Sequence, residues 1–201
     1  MNKVILAVVV FFLTTEIYAN IWQKTGQEYG IEPRLFYAIS KVESNLRPLV
    51  VSVNFRKMNY SQRQKLAAFI RSRNIPYKTH TKVIELNSRN VAQAQDVVRF
   101  LDANRFASFD IGLMQINNIH KAELQSKGIP LTALFNEETN LKVAANILWK
   151  CYKKHGSNHK AINAYNGRVI GNPYYSKVSA ELQKLLLPHE NSSKRLFYRI
   201  L

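Results

Sequence analysis

A carboxyl group that keeps its proton near neutral pH can act as a general acid, and Glu43 is placed to be one. From Pro33 to Ser44 the spacing predicts a helix with Leu35, Phe36, Ile39 and Val42 along one apolar face, which Glu43 completes one turn further on. Burial on that face would penalise the charged form and raise the pKa above the ordinary ~4.3. A proton held in this way can be donated to a leaving group. Pro33 suits the first helical position and marks the start independently. Spacing alone equally allows Glu43 to sit at the helix end, close to Pro48, and face water.

Other chemistries find less support. Of the five histidines only His155 and His159 are four apart, and Gly156 lies between them in a predicted helix break, which spoils a shared-face metal site. No glycine-rich phosphate loop or nucleophile elbow is present. No metal or other cofactor is expected. Cys151 is the only cysteine, so no internal disulfide can form, and nothing nearby in the sequence would activate its thiol. It reads as a small buried hydrophobe on a helix.

The elements that must position Glu43 follow from periodicity and breakers. A short helix over 20–29 ends at Gly30, and the Glu43 helix follows. Residues 47–54 read as loop or strand, with Val50, Val51 and Val53 favouring β structure. A basic helix is expected from Ser61 to Arg73, a short strand around 82–86, and a helix from about Asn90 to Asn104. Thr139 or Asn140 can cap a helix that Gly156 stops, with Leu141, Ala144, Ala145, Leu148 and Tyr152 on its apolar face. A short helix through His159 to Tyr165 breaks at Asn166-Gly167, and a last one runs from Tyr174 to Leu187 before Pro188. The fold class expected is mainly α (α+β), a helical domain with a small β element and no internal domain boundary.

Composition narrows the setting. A chain of 201 residues with 46% hydrophobic residues can bury a proper core, which excludes a disordered protein. Residues 1–19 carry Lys3, an apolar run from Val4 to Leu13 and a cut point after Ala19, the pattern of a cleaved secretory signal. The run falls short of the ~20 residues a bilayer span needs. A periplasmic or secreted protein is therefore expected, with residues 20–187 as its domain and 188–201 as a basic C-terminal tail. The net charge of +16 survives removal of the signal, since Lys3 and Glu16 leave together. It favours polyanionic surroundings such as the carboxylate-bearing peptides of a cell wall. Export weighs against nucleic acid as the usual partner.

Three clusters stand in a fixed order: Glu43-Ser44 followed by Pro48, then Gly112-Leu113-Met114-Gln115-Ile116-Asn117, then Ala164-Tyr165-Asn166-Gly167. Together they resemble the SLT-type lytic transglycosylases of the lysozyme-like superfamily, over roughly residues 21–178. The run Phe109-Asp110-Ile111-Gly112 resembles the version found in transglycosylases of pilus, conjugation and secretion machines. The resemblance implies a lysozyme-like helical lobe and a small β part flanking a groove for a glycan strand, with Glu43 as the catalytic acid. Protonation of the glycosidic oxygen between N-acetylmuramic acid and N-acetylglucosamine is followed by attack of the muramyl C6 hydroxyl on its own C1, with closure of a 1,6-anhydro ring. One acid/base group suffices because the sugar supplies its own nucleophile.

By the same resemblance Ser44, Met114, Gln115, Tyr165, Asn166 and Tyr174 serve the substrate. Ser44 would fix the acid, Met114 and Gln115 would contact sugar, and Tyr165 with Asn166 would orient the glutamate and the acetamido group. Asp110 is read as structural, bonding backbone groups in the turn. The departure from the family pattern is the long connection between the first two clusters. Its extra residues, about 55–104, could shape the groove, meet anionic wall peptides, bind a partner, or simply add stability. A monomeric, exported enzyme that opens the wall locally for an envelope machine is the reading adopted. The alternatives are a lysozyme-type muramidase on the same fold and a non-catalytic wall-binding assembly factor.

Overall fold

A computed structural model describes residues 21–185; the expected signal and the basic tail lie outside them. Local sequence accounts for most element boundaries. Helix α1 covers 21–29 and stops at Gly30, whose φ of 62° is left-handed. Helix α2 is Pro33–Ser44. Strand β1 (Val50–Asn54) leads through a 3-10 turn into α3 (Tyr60–Ser72), which Asn59 opens with a capping box to Gln62. Strands β2 (Tyr77–Thr79) and β3 (Val83–Asn87) precede α4 (Val91–Ala103), capped by Asn90. Strands β4 (Phe109–Ile111) and β5 (Ile116–Asn117) bracket the second cluster. Helices α5 (Lys121–Ser126), α6 (Glu137–His155), α7 (Asn158–Tyr165) and α8 (Tyr174–Gln183) complete the described chain.

The described residues form two compact units, 21–42 with 145–185 and 43–144. No composition shift announces the divide, because it falls inside α2 and inside α6 rather than in a linker. In the first unit Leu35, Phe36, Ala38 and Ile39 of α2, Leu148 of α6, Ala161 and Ile162 of α7, and Val178 of α8 are buried. The indole N–H of Trp149 donates to the carbonyl oxygen of Tyr29, which ties α6 to the end of α1. Gly26 leaves no room for a side chain: a Cβ there would lie 2.6 Å from the carbonyl oxygen of Ile31. Cys151 on α6 is half-buried, and that burial pushes its thiol up, against the opposing charge of Lys154.

The second unit is built on a five-stranded antiparallel sheet ordered β2-β3-β1-β4-β5. Here the structure enlarges the expected β element. Strand β3 pairs with β1 over its whole length, from Val50 opposite Asn87 to Asn54 opposite Val83. The long connection over 55–104 therefore supplies an interior strand, not an appendage. Alternation places Val51 and Val53 of β1 and Leu86 of β3 in the core, all 0% exposed. Helix α4 adds Ala94, Val97, Val98 and Leu101 to that core and packs on β1 and on the 3-10 turn Leu131–Phe135. Phe69 of α3 stacks on Phe100 of α4 with ring centroids 4.0 Å apart.

Two expected boundaries shift. Helix α6 begins at Glu137, and its cap is Asn136, whose side-chain oxygen accepts from the Thr139 N–H at 2.9 Å; neither Thr139 nor Asn140 is the cap. Helix α8 ends at Gln183, before the Leu187 expected.

If residues 55–104 belong to the core, Leu86→Ala should cost about 2–5 kcal/mol in a denaturant titration, as deletion of a fully buried leucine side chain does. A decorative insertion would leave the value within about 0.5 kcal/mol of the parent.

Candidate active site

Glu43 is the penultimate residue of α2 and is half-buried, so its carboxyl group neither sinks into the core nor stands fully in water. Directly after it the chain makes a tight exit. Asn45 and Leu46 both take left-handed backbone, at φ 53° and 63°, an uncommon conformation for side-chain-bearing residues. Arg47 secures the turn: its Nε donates to the carbonyl oxygen of Ser44 at 2.8 Å, and its guanidinium donates to Glu85 Oε1 and Asn87 Oδ1 on β3 at 2.7 and 2.6 Å. Burial of the Glu85 carboxyl opposes ionisation, but hydrogen bonds from Arg47 and Asn87 and the charges of Arg47 and His80 outweigh it and hold the pKa below the ordinary value.

Ser44 joins the first two clusters. Its hydroxyl donates to the carbonyl oxygen of Leu113 at 2.7 Å across 69 residues of sequence, and it also accepts from the Arg47 N–H at 3.2 Å. Ser44 is 1% exposed, so it anchors the end of α2 to the second cluster and is not open to a sugar.

The second cluster is a tight loop held from three sides. The Gly112 N–H donates to the carbonyl oxygen of Val50 on β1 at 2.9 Å. Gly112 itself has φ 78°, and a Cβ there would meet Asn140 Nδ2 at 2.6 Å and the carbonyl oxygen of Leu134 at 2.7 Å. Asn140, fully buried on α6, saturates the loop's main chain. Its Oδ1 accepts from the Met114 N–H at 2.8 Å, while its Nδ2 donates to the carbonyl oxygens of Ile111 and Leu134 at 3.1 and 2.8 Å. Gln115 takes left-handed φ, 48°, and its side-chain N–H groups donate to Gly112 and Val50 carbonyl oxygens at 2.8 and 3.3 Å. Its Oε1 has no partner among the described residues, which leaves an acceptor for a ligand hydroxyl or amide.

Met114 is 0% exposed. Its side chain is buried in this structure, while its main-chain N–H is the group that Asn140 holds. Asp110 departs from expectation. It bonds no turn backbone; instead its Oδ1 accepts from the Asn117 side-chain amide at 2.7 Å, directly across the β4–β5 ladder. Burial pushes its pKa up to about 6, with the Asn117 hydrogen bond and the Lys57 charge pulling the other way.

The third cluster belongs to the first unit. Tyr165 ends α7 and is half-buried, Asn166 is exposed at the C-cap, and Tyr174 begins α8 with 5% exposure. One buried residue organises the loop between them. Asn163 Nδ2 donates to the Val169 carbonyl oxygen at 3.2 Å, its Oδ1 accepts from the Tyr175 N–H at 2.8 Å, and its own carbonyl accepts from Asn172 Nδ2 at 3.2 Å. Asn172 also reaches Asn166 Oδ1 at 3.3 Å. Among the described residues no three His, Cys, Asp or Glu gather to hold a metal ion.

Sequence reasoning missed Arg47, Asn140 and Asn163. Asn163 carried a readable signal, an amide between Ala161-Ile162 and Ala164 on a helix, which must be bonded if buried; Asn140, in the polar run Glu137-Glu138-Thr139-Asn140, read as a cap.

Comparison with known proteins places this arrangement. The model of the transglycosylase SLT domain matches residues 20–169. The chain belongs to the SLT transglycosylase family. The SLT domain is mainly helical with a small antiparallel sheet, in keeping with the lysozyme-like class. Over 101 residues the chain is 34% identical to the invasion protein IagB of Salmonella typhimurium, covering 46% of this chain and 63% of the relative. It is 36% identical over 148 residues to a peptidoglycan-binding-like protein of Escherichia coli O157:H7, covering 72% of this chain and 62% of the relative. The chain thus spans less than two thirds of the length of the curated relatives it matches. No solved structure matches it.

Two substitutions test the loop. Asn140→Leu keeps volume but strands the Met114 N–H and two carbonyl groups, and should cost about 3 kcal/mol or more in chemical denaturation. Asp110→Asn keeps the acceptor for Asn117 and removes the titration. Since the folded-state pKa of Asp110 is raised, the stability it contributes is full below about pH 4 and lost as pH rises through about 6. From pH 4 to 7 the variant should gain on the parent by up to about 2 kcal/mol; parallel curves across that range would refute the assignment.

Proposed function

We propose that this chain is an exported peptidoglycan lytic transglycosylase that cleaves the β-1,4 bond between N-acetylmuramic acid and N-acetylglucosamine, with Glu43 as its single acid/base. The observation that carries the reading is the Ser44–Leu113 hydrogen bond. It brings the glutamate's helix end and the glycine-bounded loop of the second cluster into one rigid unit, and rigidity at the acid is what positions a proton on a leaving oxygen.

In the proposed reaction Glu43 gives its proton to the glycosidic oxygen as the bond from that oxygen to the muramyl C1 breaks, and the N-acetylglucosamine part leaves with a 4-hydroxyl. The carboxylate left behind takes the proton of the muramyl C6 hydroxyl, whose oxygen bonds to C1. The acid is restored, a 1,6-anhydro ring closes, and water is not consumed. Ser44 and Asn140 act as positioning residues. Gln115 Oε1 is the acceptor presented to the glycan from the second cluster, and Tyr165, Asn166 and Tyr174 are assigned to substrate from the third.

The apolar run from Val4 to Leu13, behind Lys3, supports export to the periplasm or beyond. A relative named as an invasion protein and another named as peptidoglycan-binding-like support wall opening in service of an envelope-spanning apparatus.

Digestion of isolated sacculi should release fragments whose muramyl ends are lighter by one water than hydrolytic ends, read by mass spectrometry. Reducing ends as the sole product would replace this mechanism with that of a muramidase. Glu43→Gln should lower turnover at least about 10²-fold while sparing glycan binding. Near-parental turnover in that variant would remove Glu43 from the mechanism.

A further inference from the structure

Within the second unit, α3 and the β2–β3 hairpin enclose a groove of about 360 Å³ that the transglycosylase reading does not use. Its floor is apolar, with Met58, Leu66, Ile70 and Ile84, and its rim carries Arg71, Tyr77 and Thr79. Arg63 is built into the wall, donating to the carbonyl oxygens of Met58 and Phe55 at 3.3 and 3.1 Å and lying over the Phe55 ring.

Three independent features point to one kind of occupant. The first is an open strand edge. Strand β2 ends the sheet, and all three of its residues are exposed, Tyr77 by 60%. The Asn87 N–H bonds the Pro76 carbonyl oxygen, and the His80 N–H bonds the Val83 carbonyl oxygen, both at 2.8 Å. Antiparallel alternation then aims the N–H and C=O groups of Tyr77 and Thr79 away from β3, towards the free edge. The second is the groove beside that edge, lined by Tyr77 and Thr79, so that a strand added there would lay alternate side chains into an apolar floor. The third is charge. No Asp or Glu stands between Glu43 and Glu85, while Lys65, Arg71, Arg73, Lys78 and Lys82 have no carboxylate partner among the described residues.

We propose that this face docks an extended, acidic segment of a partner protein, which adds to the sheet along β2 and alternates apolar residues into the groove with carboxylates on the opposite face, the face of Lys78. Main-chain pairing supplies affinity and the alternating pockets supply selectivity, as in other strand-addition interfaces. The edge is short, follows Pro76 and carries Lys78, features that discourage pairing with a neutral chain and favour an acidic one. A wall stem peptide has too little apolar surface for such a floor, which favours a protein segment. The proposal does not depend on Glu43 chemistry.

The test uses the full chain and a fluorescein-labelled peptide about ten residues long, alternating Asp or Glu with Val or Leu. Saturable binding by fluorescence anisotropy is expected, together with slowed amide exchange at Tyr77 and Thr79. Ala67→Trp, which fills the groove, should weaken binding at least about ten-fold, and Thr79→Pro, which removes an edge donor, about five-fold. Exchange on the parent chain needs no variant and so stands even if a variant folds poorly. Equal binding of a peptide N-methylated at alternate residues would overturn the proposal, as would affinity indifferent to both substitutions. Binding of phosphatidylglycerol vesicles that depends on Ala67, without binding of the peptide, would overturn it in favour of a lipid site. Cosedimentation with sacculi that is lost in Arg71→Glu, with no peptide binding, would overturn it in favour of plain wall adhesion.

Discussion

The side chain of Asn140 is the constraint on which the second unit depends. A loop that must turn sharply after β4 and return as β5 exposes main-chain groups that no ladder satisfies, and burying them unpaired would be prohibitive. One amide with two donors and an acceptor meets three of them at once. That bond set requires the backbone of residue 112 to come within reach of α6, which only glycine permits. Once the loop is held, the Leu113 carbonyl is fixed in direction, and Ser44 can find it. The position of the glutamate's helix end thus follows from an amide 97 positions further along the chain.

The same economy appears in the first unit, where Asn163 does for the loop after α7 what Asn140 does for the loop after β4. In both cases a short polar side chain on a helix replaces regular hydrogen bonding in an irregular segment. Such segments can present polar groups to a ligand only if their own backbone is already satisfied. The left-handed backbone of Gln115 is local strain kept in place by the contacts around it, including the bonds of its own amide to Gly112 and Val50.

The long connection over 55–104 changes what a small β element means in this chain. It adds β2 and β3 to the ladder of β1, β4 and β5, with β3 paired along the whole of β1. The connection also builds the basic, apolar-floored groove at the sheet edge, so one segment contributes both to the stability of the unit and to a surface apart from the candidate active site. Arg47 links these roles physically, since its guanidinium bonds β3 while its Nε closes the end of α2.

The Glu43 helix, the long helix after the second cluster, the helices around the third cluster and the three clusters themselves were legible from periodicity and motif spacing, all of them local in the chain, whereas helix α5 and strands β4 and β5 were not. Membership of the SLT family was legible too, because its motifs are short contiguous runs. What the sequence could not show was set by contacts between distant residues. Met114 and Ser44 are both buried, and the bonds that hold this region, Asn140 to the Met114 N–H and Ser44 to the Leu113 carbonyl, join residues 26 and 69 positions apart. Asp110 found an amide across a hairpin that periodicity did not reveal, and its shifted pKa follows from that burial. The interior place of β3 depends on strand pairing between residues 29 to 37 positions apart. A pattern of period two can mark a strand, but only the tertiary structure decides which neighbour satisfies its backbone.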